Sequence, residues 1–321
     1  MKILFLTQTM ERGPASRYRV LQFLPALRAA GIGYEVSPAV PDADYGAYFG
    51  GSRWTKVCHL PGMIARRRRD WGRFGEFDVV FIQKEVFPFW PRWEFPHGRV
   101  VFDIDDAVFG RATTHLFRAS RLVLAGNEFL AGQVRQAGGR AAVVPTVVDT
   151  ERFRPAEQPG TRIGWMGSRT TNRYLEELAP ALAGLPVTAV SAVKPGIECE
   201  FMPWSLEREV EQTQSFAVGL APLADTKWEL GKCGLKTLQY LACGVPVVGA
   251  PVGVQREFIE QSGGGLLARS AGEWREKIQW LLEHPVERVA LGARGREYVE
   301  KHFSLRSWAP RWVELVRGVK D

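Results

Sequence analysis

The sequence predicts two α/β domains, each with a mainly parallel sheet that helices cover on both faces. Three observations support this prediction. Short apolar runs alternate with helix-like stretches along the chain. The alternation restarts after a segment rich in proline and charge, near residues 145 to 160. The chain has 321 residues, more than one hydrophobic core usually holds.

Each half of the chain has its own series of strand-like runs. In the first half these runs are KILFLT, GYEVS, DVVFIQ, RVVFDI, RLVLAG and AAVVP, and in the second half TRIGWMG, PVTAVSA, SFAVGLA and VPVVGA. Helices are predicted over RYRVLQFLPALRAAG, which ends at Gly31, near residues 54 to 70 and 127 to 137, from about residue 171, and from about Gly234. From about residue 270 the pattern is helical throughout. Ligands of parallel sheets bind beside the carboxyl ends of the strands, so a site in a cleft between the two domains is expected.

The composition narrows the class of protein. The chain is 45% apolar and 24% charged, as in soluble globular proteins, and its net charge of +7 favours anionic ligands. No RNA-binding motif and no dinucleotide or Walker fingerprint appears, so we expect no nucleic-acid partner. The four cysteines lack C-x-x-C spacing and the apolar start is too short for a signal peptide. Both features predict a reduced, cytoplasmic protein.

The helix predicted near Gly234 carries a lysine in an unusual position. Lys236, Gln239 and Cys243 share one face of this helix, while a separate face is apolar. Helix N-termini favour acidic groups, so a lysine in the first turn is electrostatically misplaced. A bound anion would explain it, and Gly231 and Gly234 would let the backbone approach that anion. The alternative is a solvated lysine on an amphipathic helix.

Glycine-containing polar turns follow the first strand of each predicted domain. In the second half, GSRTTNRYLEEL places Ser168 and Arg173 near a helix start, where hydroxyl and guanidinium groups suit a phosphate. The matching turn in the first half, ERGPASRYR, contributes Gly13, Ser16, Arg17 and Arg19.

The second half resembles the donor domain of glycosyltransferase family 4, the group 1 glycosyltransferases. LQYLACGVPVVGAPVG is similar to the strongest block of the family, and Gly253 to Glu257 to the G-x-x-x-E that follows it. VVPTVVDTERFRP resembles the interdomain segment of the family, and LGARGREYVEKHFSLRSWAPRW its C-terminal helices. The likeness is strong from about residue 143 to 313.

The resemblance implies the GT-B fold, in which two Rossmann-like domains face a central cleft. The acceptor domain would span 1–150, the nucleotide-sugar donor domain 151–303, and a helix at 304–321 would return to the first domain. The implied reaction moves a sugar from a nucleotide-diphosphate sugar to an acceptor hydroxyl, with retention at the anomeric carbon. The expected partners are the nucleotide sugar and a carbohydrate or lipid-linked acceptor. We expect no cofactor and no metal.

The resemblance also implies site residues, and the chain departs from the family pattern at several of them. The donor diphosphate would lie near Ser168, Arg173, Lys232, Gly234 and Lys236, and the ribose and sugar near Gln239 and Glu229. Gln239 stands where the family has its second glutamate, and Gly231 where it has its first. Lys232 and Lys236 would supply charge that the family takes from an arginine at the position of Ser168. Gly13, Ser16, Arg17 and Arg19 would lie on the acceptor side.

The stretch VVFDIDDAVFG ends a strand with three aspartates, Asp103, Asp105 and Asp106. Family members usually have a histidine near this turn, so we assign catalytic roles to Asp105 and Asp106, which would orient the acceptor hydroxyl. FIQKEVFP adds Lys84 and Glu85 to the same rim. Two alternatives remain open for the cluster with Asp103. One is helix capping with a salt bridge to an arginine. The other is a D-x-D metal site of a metal-dependent transferase.

The run Arg66 to Arg69 predicts a peripheral contact with an anionic membrane surface at the inner face, or else a solvated helix face.

A non-enzymatic alternative exists for the whole chain. Because Gly231 and Gln239 replace the two family glutamates, the chain would then be an inactive nucleotide-sugar-binding or scaffold protein of the same fold.

Overall fold

The computed structural model describes residues 1–84 and 99–320. The chain divides into two compact units, Met1–Thr146 with Trp308–Asp321, and Val147–Ser307. Each unit contains one six-stranded sheet flanked by helices, and the paired strands of both sheets are parallel. The predicted α/β class with two parallel sheets is therefore confirmed.

The sheet of the first unit has the strand order β2-β1-β3-β4-β5-β6. Its strands are β1 (Lys2–Thr7), β2 (Gly33–Pro38), β3 (Val79–Gln83), β4 (Val100–Ile104), β5 (Leu122–Ala125) and β6 (Ala141–Val143). Every residue of the central strands β3, β4 and β5 is buried, as expected for strands covered on both faces. Each of the six strands corresponds to one predicted run.

The helices of the first unit show one error of prediction. They are α1 (Pro14–Arg19), α2 (Leu24–Ala29), α3 (Asp42–Gly50), α4 (Arg53–Gly72), α5 (Arg111–Ala119) and α6 (Glu128–Gln136). The prediction of a single helix over residues 17–31 was wrong, because α1 ends at Arg19 and a 3-10 turn separates it from α2. Pro25 explains the break. Its ring would clash with the preceding turn of a continuous helix, whereas the first turn of α2 accepts it.

The sheet of the second unit has the order β12-β11-β10-β7-β8-β9. Its strands are β7 (Arg162–Met166), β8 (Val187–Ser191), β9 (Glu200–Pro203), β10 (Phe216–Ala221), β11 (Val247–Gly249) and β12 (Gly265–Leu267). The helices are α7 (Asn172–Glu177), α8 (Ala179–Leu182), α9 (Glu209–Gln214), α10 (Lys227–Leu230), α11 (Leu235–Ala242), α12 (Gly253–Ser262), α13 (Ala271–Glu283) and α14 (Pro285–His302). The sequence missed the two edge strands, β9 and β12, which are too short to show a period.

In the described ranges no helix combines the length and the apolar character needed to cross a bilayer.

The last helix, α15 (Leu305–Arg317), contributes to the core of the first unit from Trp308 onward. Trp312 is fully buried, and its ring stacks on Phe23 at 4.7 Å and on Phe5 at 6.1 Å between centroids. Stacked aromatic rings at such distances bury a large apolar area. The C-terminal segment is thus held against β1 and the turn that precedes α2.

Each sheet has one point where the strand order reverses. In the first sheet it lies between β1 and β3, and in the second between β7 and β10. The connections that leave two such strands run to opposite faces of the sheet, which opens a crevice at their carboxyl ends. The residues just after these four strands therefore occupy the positions where α/β proteins of this kind bind ligands.

Candidate functional site

The switch point of the second unit brings together two predicted segments. β7 ends at Met166 and leads into the turn with Ser168, while β10 ends at Ala221 and leads into α10 and α11. β7 and β10 are hydrogen-bonded neighbours, so both segments leave the same edge of the sheet. Ser168 is exposed, and its hydroxyl lies 3.0 Å from that of Thr170.

Glu229 on α10 links these two segments. Its carboxylate is almost fully buried and accepts hydrogen bonds from Arg173 Nη2 at 3.1 Å and from the hydroxyls of Tyr174 and Thr226. Burial raises the pKa of Glu229, but the hydrogen bonds from Thr226 and Tyr174 and the charge of Arg173 outweigh it, so the pKa is lowered. The ionised carboxylate holds the guanidinium of Arg173, whose side chain is 58% exposed, at the edge of the switch point.

This arrangement bears on the predicted role of Glu229. The resemblance implied a contact with the sugar, whereas the described contacts of the carboxylate are with protein side chains that position Arg173. A direct sugar contact stays a prediction. Thr226 and Glu229 form the T-x-x-E pattern of a helix start, and Thr226 caps α10. That pattern was the available sequence signal for the network.

The start of α11 has a backbone that requires glycine. Gly234 has a φ of 65°, in the left-handed region, and a Cβ there would lie 2.6 Å from Cε2 of Phe258. Lys236 is half-buried in the first turn that follows, and the ammonium of Lys232 lies 5.3 Å from the ring centre of Trp228. Two lysines therefore flank a helix N-terminus whose N-cap residue, Gly234, has no side chain to cap it.

Buried polar residues fix α11 and α12 on the sheet. The hydroxyl of Tyr240 accepts a hydrogen bond from the N–H of Met166, at the end of β7. The amide nitrogen of Gln255 donates to Ala221 O at 2.7 Å and to Ala250 O at 2.9 Å, which ties the ends of β10 and β11 together. Gln239 lies on α11 with 1% exposure. The sequence analysis missed Tyr240 and Gln255, which lack a distinctive local motif.

The switch point of the first unit is a chain of neutral hydrogen bonds. Ser16 Oγ accepts from the N–H of Thr9 at 3.1 Å and donates to Gln83 Oε1 at 3.1 Å, and the N–H of Gln8 donates to the same oxygen at 3.2 Å. Gly13 packs against this turn, since a Cβ there would overlap Oγ1 of Thr9. Gly13 and Ser16 thus shape the loop after β1. Gln83, at the end of a predicted strand, was not recognised from the sequence.

The two predicted acceptor-side arginines are largely buried. Arg17 donates from Nη1 to Glu11 O at 2.8 Å. Arg19, with 2% exposure, donates from Nη2 to Asp103 Oδ1 at 2.6 Å and from Nη1 to Val144 O at 2.6 Å. Arg19 therefore ties α1 to the ends of β4 and β6. Asp103 is fully buried, and burial raises its pKa to about 6 although the charge of Arg19 opposes this rise.

The contacts of Asp103 differ from those of the two aspartates that follow it. Lys84 Nζ lies 3.2 Å from Asp105 Oδ1 and also pairs with Asp106, and both carboxylates are partly exposed. Burial lowers the pKa of Lys84, but the two carboxylates outweigh this and the pKa is raised, so the lysine stays charged. Lys84 has a φ of 53°, which a non-glycine residue adopts only at a cost of about 1 kcal/mol. Glu85 lies outside the described residues.

The surroundings of Asp103, Asp105 and Asp106 can be compared with the D-x-D metal site that the sequence analysis left open. Over residues 1–84 and 99–320, no three His, Cys, Asp or Glu side chains gather as a candidate metal site. Asp105 and Asp106 both pair with the ammonium of Lys84. The salt-bridge alternative of the sequence analysis applies to Asp103, through Arg19.

A cavity of about 370 Å³ lies at the amino ends of the strands in the second sheet. It is lined by the segment 155–160, by Phe216 at the start of β10, and by Cys243 and Arg288. None of the predicted donor residues lines it. Because ligands of parallel sheets bind at the carboxyl ends of the strands, the cavity is a poor candidate for the donor site.

Comparisons with known proteins agree with this geometry. Residues 214–314 match the family described as Glycosyl transferase-like. Trehalose synthase of Pyrococcus horikoshii is 31% identical over 86 residues, which are 27% of this chain and 21% of that protein. The match therefore spans about a fifth of that relative.

Several solved structures resemble the whole chain, including a sucrose-phosphate synthase and a HepE. Sucrose-phosphate synthase from Thermosynechococcus elongatus has a TM-score of 0.73 at 16% identity and covers 99% of both chains. Anabaena HepE, solved in complex with UDP-glucose, has a TM-score of 0.67 at 16% identity, with 99% of this chain and 100% of that chain covered. At such identities the likeness shows the fold.

The class of protein follows from these findings. The chain has the GT-B fold of glycosyltransferases. Its residues 214–314, which include α11 with Lys236 and Gln239, resemble the Glycosyl transferase-like family.

Proposed function

We propose that the protein transfers a sugar, with retention at the anomeric carbon, from a nucleotide-diphosphate sugar to a hydroxyl of a carbohydrate or lipid-linked acceptor. The observation that carries the proposal is the site at the switch point of the second unit. There Lys232, Lys236 and Arg173 bring positive charge to a helix N-terminus. Such a group suits a diphosphate. UDP and UDP-glucose are bound by the structural neighbour HepE.

The chemical contribution of this site follows from charge. Breaking the bond between sugar and diphosphate leaves additional negative charge on the phosphate oxygens. Lysine and arginine donors and a helix N-terminus that are already in place stabilise that charge more than they stabilise the bound donor. Ser168 would add a hydroxyl donor, and Gln239 would contact the ribose. Glu229 would act through Arg173, whose guanidinium it holds.

We assign the acceptor to the first unit. Asp105 and Asp106 are partly exposed carboxylates whose position is fixed by Lys84. An ionised carboxylate accepts a hydrogen bond from an acceptor hydroxyl and orients its oxygen. With the donor charge balanced by lysine and arginine, this assignment needs no metal ion. We also propose that the protein acts in the cytoplasm, which the free thiols of Cys58, Cys199, Cys233 and Cys243 support.

A donor screen tests the proposal. UDP-, GDP- and ADP-sugars are added to the purified chain, and both the melting temperature and the release of nucleoside diphosphate are measured. We expect one nucleotide class to raise the melting temperature, because a ligand that binds only the folded state stabilises it, and to be hydrolysed slowly without an acceptor.

The control is Lys301→Ala, which removes an exposed lysine of α14, in parallel with Lys236→Ala. Only Lys236→Ala is expected to reduce the shift. Stabilisation without any release of diphosphate would identify an inactive binding protein. No stabilisation by any of these donors would contradict the proposal.

A further inference from the structure

An exposed tryptophan lies beside the group of positive charges in the second unit. Trp228, on α10, is 43% exposed. The ammonium of Lys232 lies 5.3 Å from the centre of its ring, which is a cation–π contact. Trp228 is thus an aromatic neighbour of a lysine that we assign to the donor diphosphate.

The hydrogen bonds of α10 hold Trp228 in place. Its N–H donates to Thr226 Oγ1 at 3.3 Å, and the carboxylate of the next residue, Glu229, is anchored by Arg173 and Tyr174. Successive side chains of an α-helix point roughly 100° apart, so the inward position of Glu229 leaves Trp228 on the outer side of α10. The indole therefore needs no rearrangement of the helix to meet a ligand.

The residues expected near the transferred sugar are turned inward or lack a side chain. Glu229 is 1% exposed, and its carboxylate accepts hydrogen bonds from protein side chains. Gly231, at the position of the other family glutamate, has no side chain. Trp228 is the exposed neighbour of Glu229 on the same helix, so it can add a contact with the sugar.

The order of residues along the chain places Trp228 on the sugar side of the diphosphate. Gln239, which we assign to the ribose, follows Lys236 by about one helical turn. Trp228 instead precedes Lys232, by one turn of similar length. In a nucleotide sugar the diphosphate joins the ribose to the sugar. With the ribose beyond one end of the lysine pair, the sugar lies beyond the other end, where Trp228 is found.

Given the function proposed above, on which this assignment rests, we propose that Trp228 binds the transferred sugar by stacking its indole on the apolar face of a neutral pyranose. A pyranose presents C–H groups on its ring faces, and an aromatic face gains dispersion energy and buries apolar area against them. An indole has two faces, so the cation of Lys232 on one of them leaves the other for the sugar. The stack would fix the orientation of the anomeric carbon relative to the departing phosphate.

Titration of three related ligands tests the proposal by calorimetry. They are the nucleotide sugar that the donor screen selects, its nucleoside diphosphate and its nucleoside; for a uridine donor they are UDP-glucose, UDP and uridine. Trp228→Leu keeps an apolar side chain but removes the flat ring. It should weaken the nucleotide sugar by about fivefold and leave the other two ligands unchanged. Trp228→Phe, which retains a ring, should recover most of the affinity.

The matched control is Trp280→Leu. Trp280 is 36% exposed on α13, where its ring stacks on His284 at 4.6 Å, and no donor residue is assigned to that helix. This variant should bind all three ligands as the parent does, and both leucine variants should keep the melting temperature of the parent.

Three results with Trp228→Leu would overturn the proposal while leaving the proposed function intact. Equal losses for the nucleotide sugar and the diphosphate would mean that Trp228 only positions Lys232. A loss that extends to the nucleoside would assign the ring to the base. Unchanged affinity for all three ligands would exclude a contact. If the parent binds none of them, the proposed function fails, and the sugar contact with it.

Discussion

The two switch points of the molecule differ in charge and in burial. Between β1 and β3 the site is a set of neutral hydrogen bonds among Gln8, Thr9, Ser16 and Gln83. The charged pair nearby, Arg19 with Asp103, is fully internal. Between β7 and β10 the basic groups remain at least partly exposed, and a buried carboxylate, Glu229, holds one of them.

The difference indicates that the two units, although similar in fold, bind different ligands. A buried ion pair is satisfied by the protein and has little left to offer a ligand. An exposed guanidinium that a buried carboxylate holds in place can still bind an anion. We therefore assign the charged donor to the second unit and a neutral hydroxyl acceptor to the first. Variants that disturb one switch point should leave the chemistry of the other unchanged.

The largest expected effect concerns the internal pair of the first unit. Arg19→Met leaves the carboxylate of Asp103 buried without its cation, which should lower the free energy of unfolding by about 3–5 kcal/mol. Urea denaturation measures this loss. Arg121→Met, at an exposed position, should cost less than about 0.5 kcal/mol. If Arg19→Met lowers the free energy of unfolding no more than Arg121→Met does, the ion pair between Arg19 and Asp103 does not stabilise the fold.

The second effect is a pH dependence that belongs to Asp103. Its pKa is about 6 in the folded protein and near its ordinary value of 3.8 in the unfolded chain. Between these values the folded state binds more protons, so the contribution of Asp103 to stability is greatest below pH 4 and is lost as the pH rises through 6. The stability of the parent relative to Asp103→Asn should fall by up to about 3 kcal/mol between pH 4 and 7. A flat or rising difference would contradict this.

The sequence predicted the fold well because β-strands buried on both faces are continuous apolar runs. It also pointed to the segment that we propose for the donor, since Gly234 and Lys236 lie in a distinctive local block. The partners of these residues were harder to predict. Glu229 meets Arg173 across 56 positions of the chain, and Arg19 meets Asp103 across 84. Such pairings depend on the register of the sheet, which a single sequence does not reveal.

The third effect is catalytic and concerns the aspartate turn. Asp105→Asn should reduce the turnover rate by about 10²-fold, with a smaller change in donor affinity, because the carboxylate is proposed to orient the acceptor. Asp44→Asn, on α3, is the matched control. Turnover should also survive EDTA. Loss of activity on chelation, restored by manganese or magnesium, would revive the D-x-D alternative.

The smallest expected effect concerns Gln239. If its amide contacts the ribose, Gln239→Leu should weaken UDP binding by about 1 kcal/mol and leave the melting temperature of the unliganded protein almost unchanged. Calorimetry and a thermal melt provide both values. A large drop in unliganded stability would make Gln239, with its 1% exposure, a residue of the core.

The charge of the second switch point can be tested directly by titrating UDP and uridine into three proteins: the parent, Lys236→Ala and Lys301→Ala. A diphosphate site at the start of α11 predicts that Lys236→Ala weakens UDP binding by about 1.5–3 kcal/mol, the range for a charge-assisted hydrogen bond. Uridine, which lacks phosphates, should bind equally to the parent and to both variants. Equal losses for UDP and uridine, or no loss for either, would contradict the assignment of the donor diphosphate to this site.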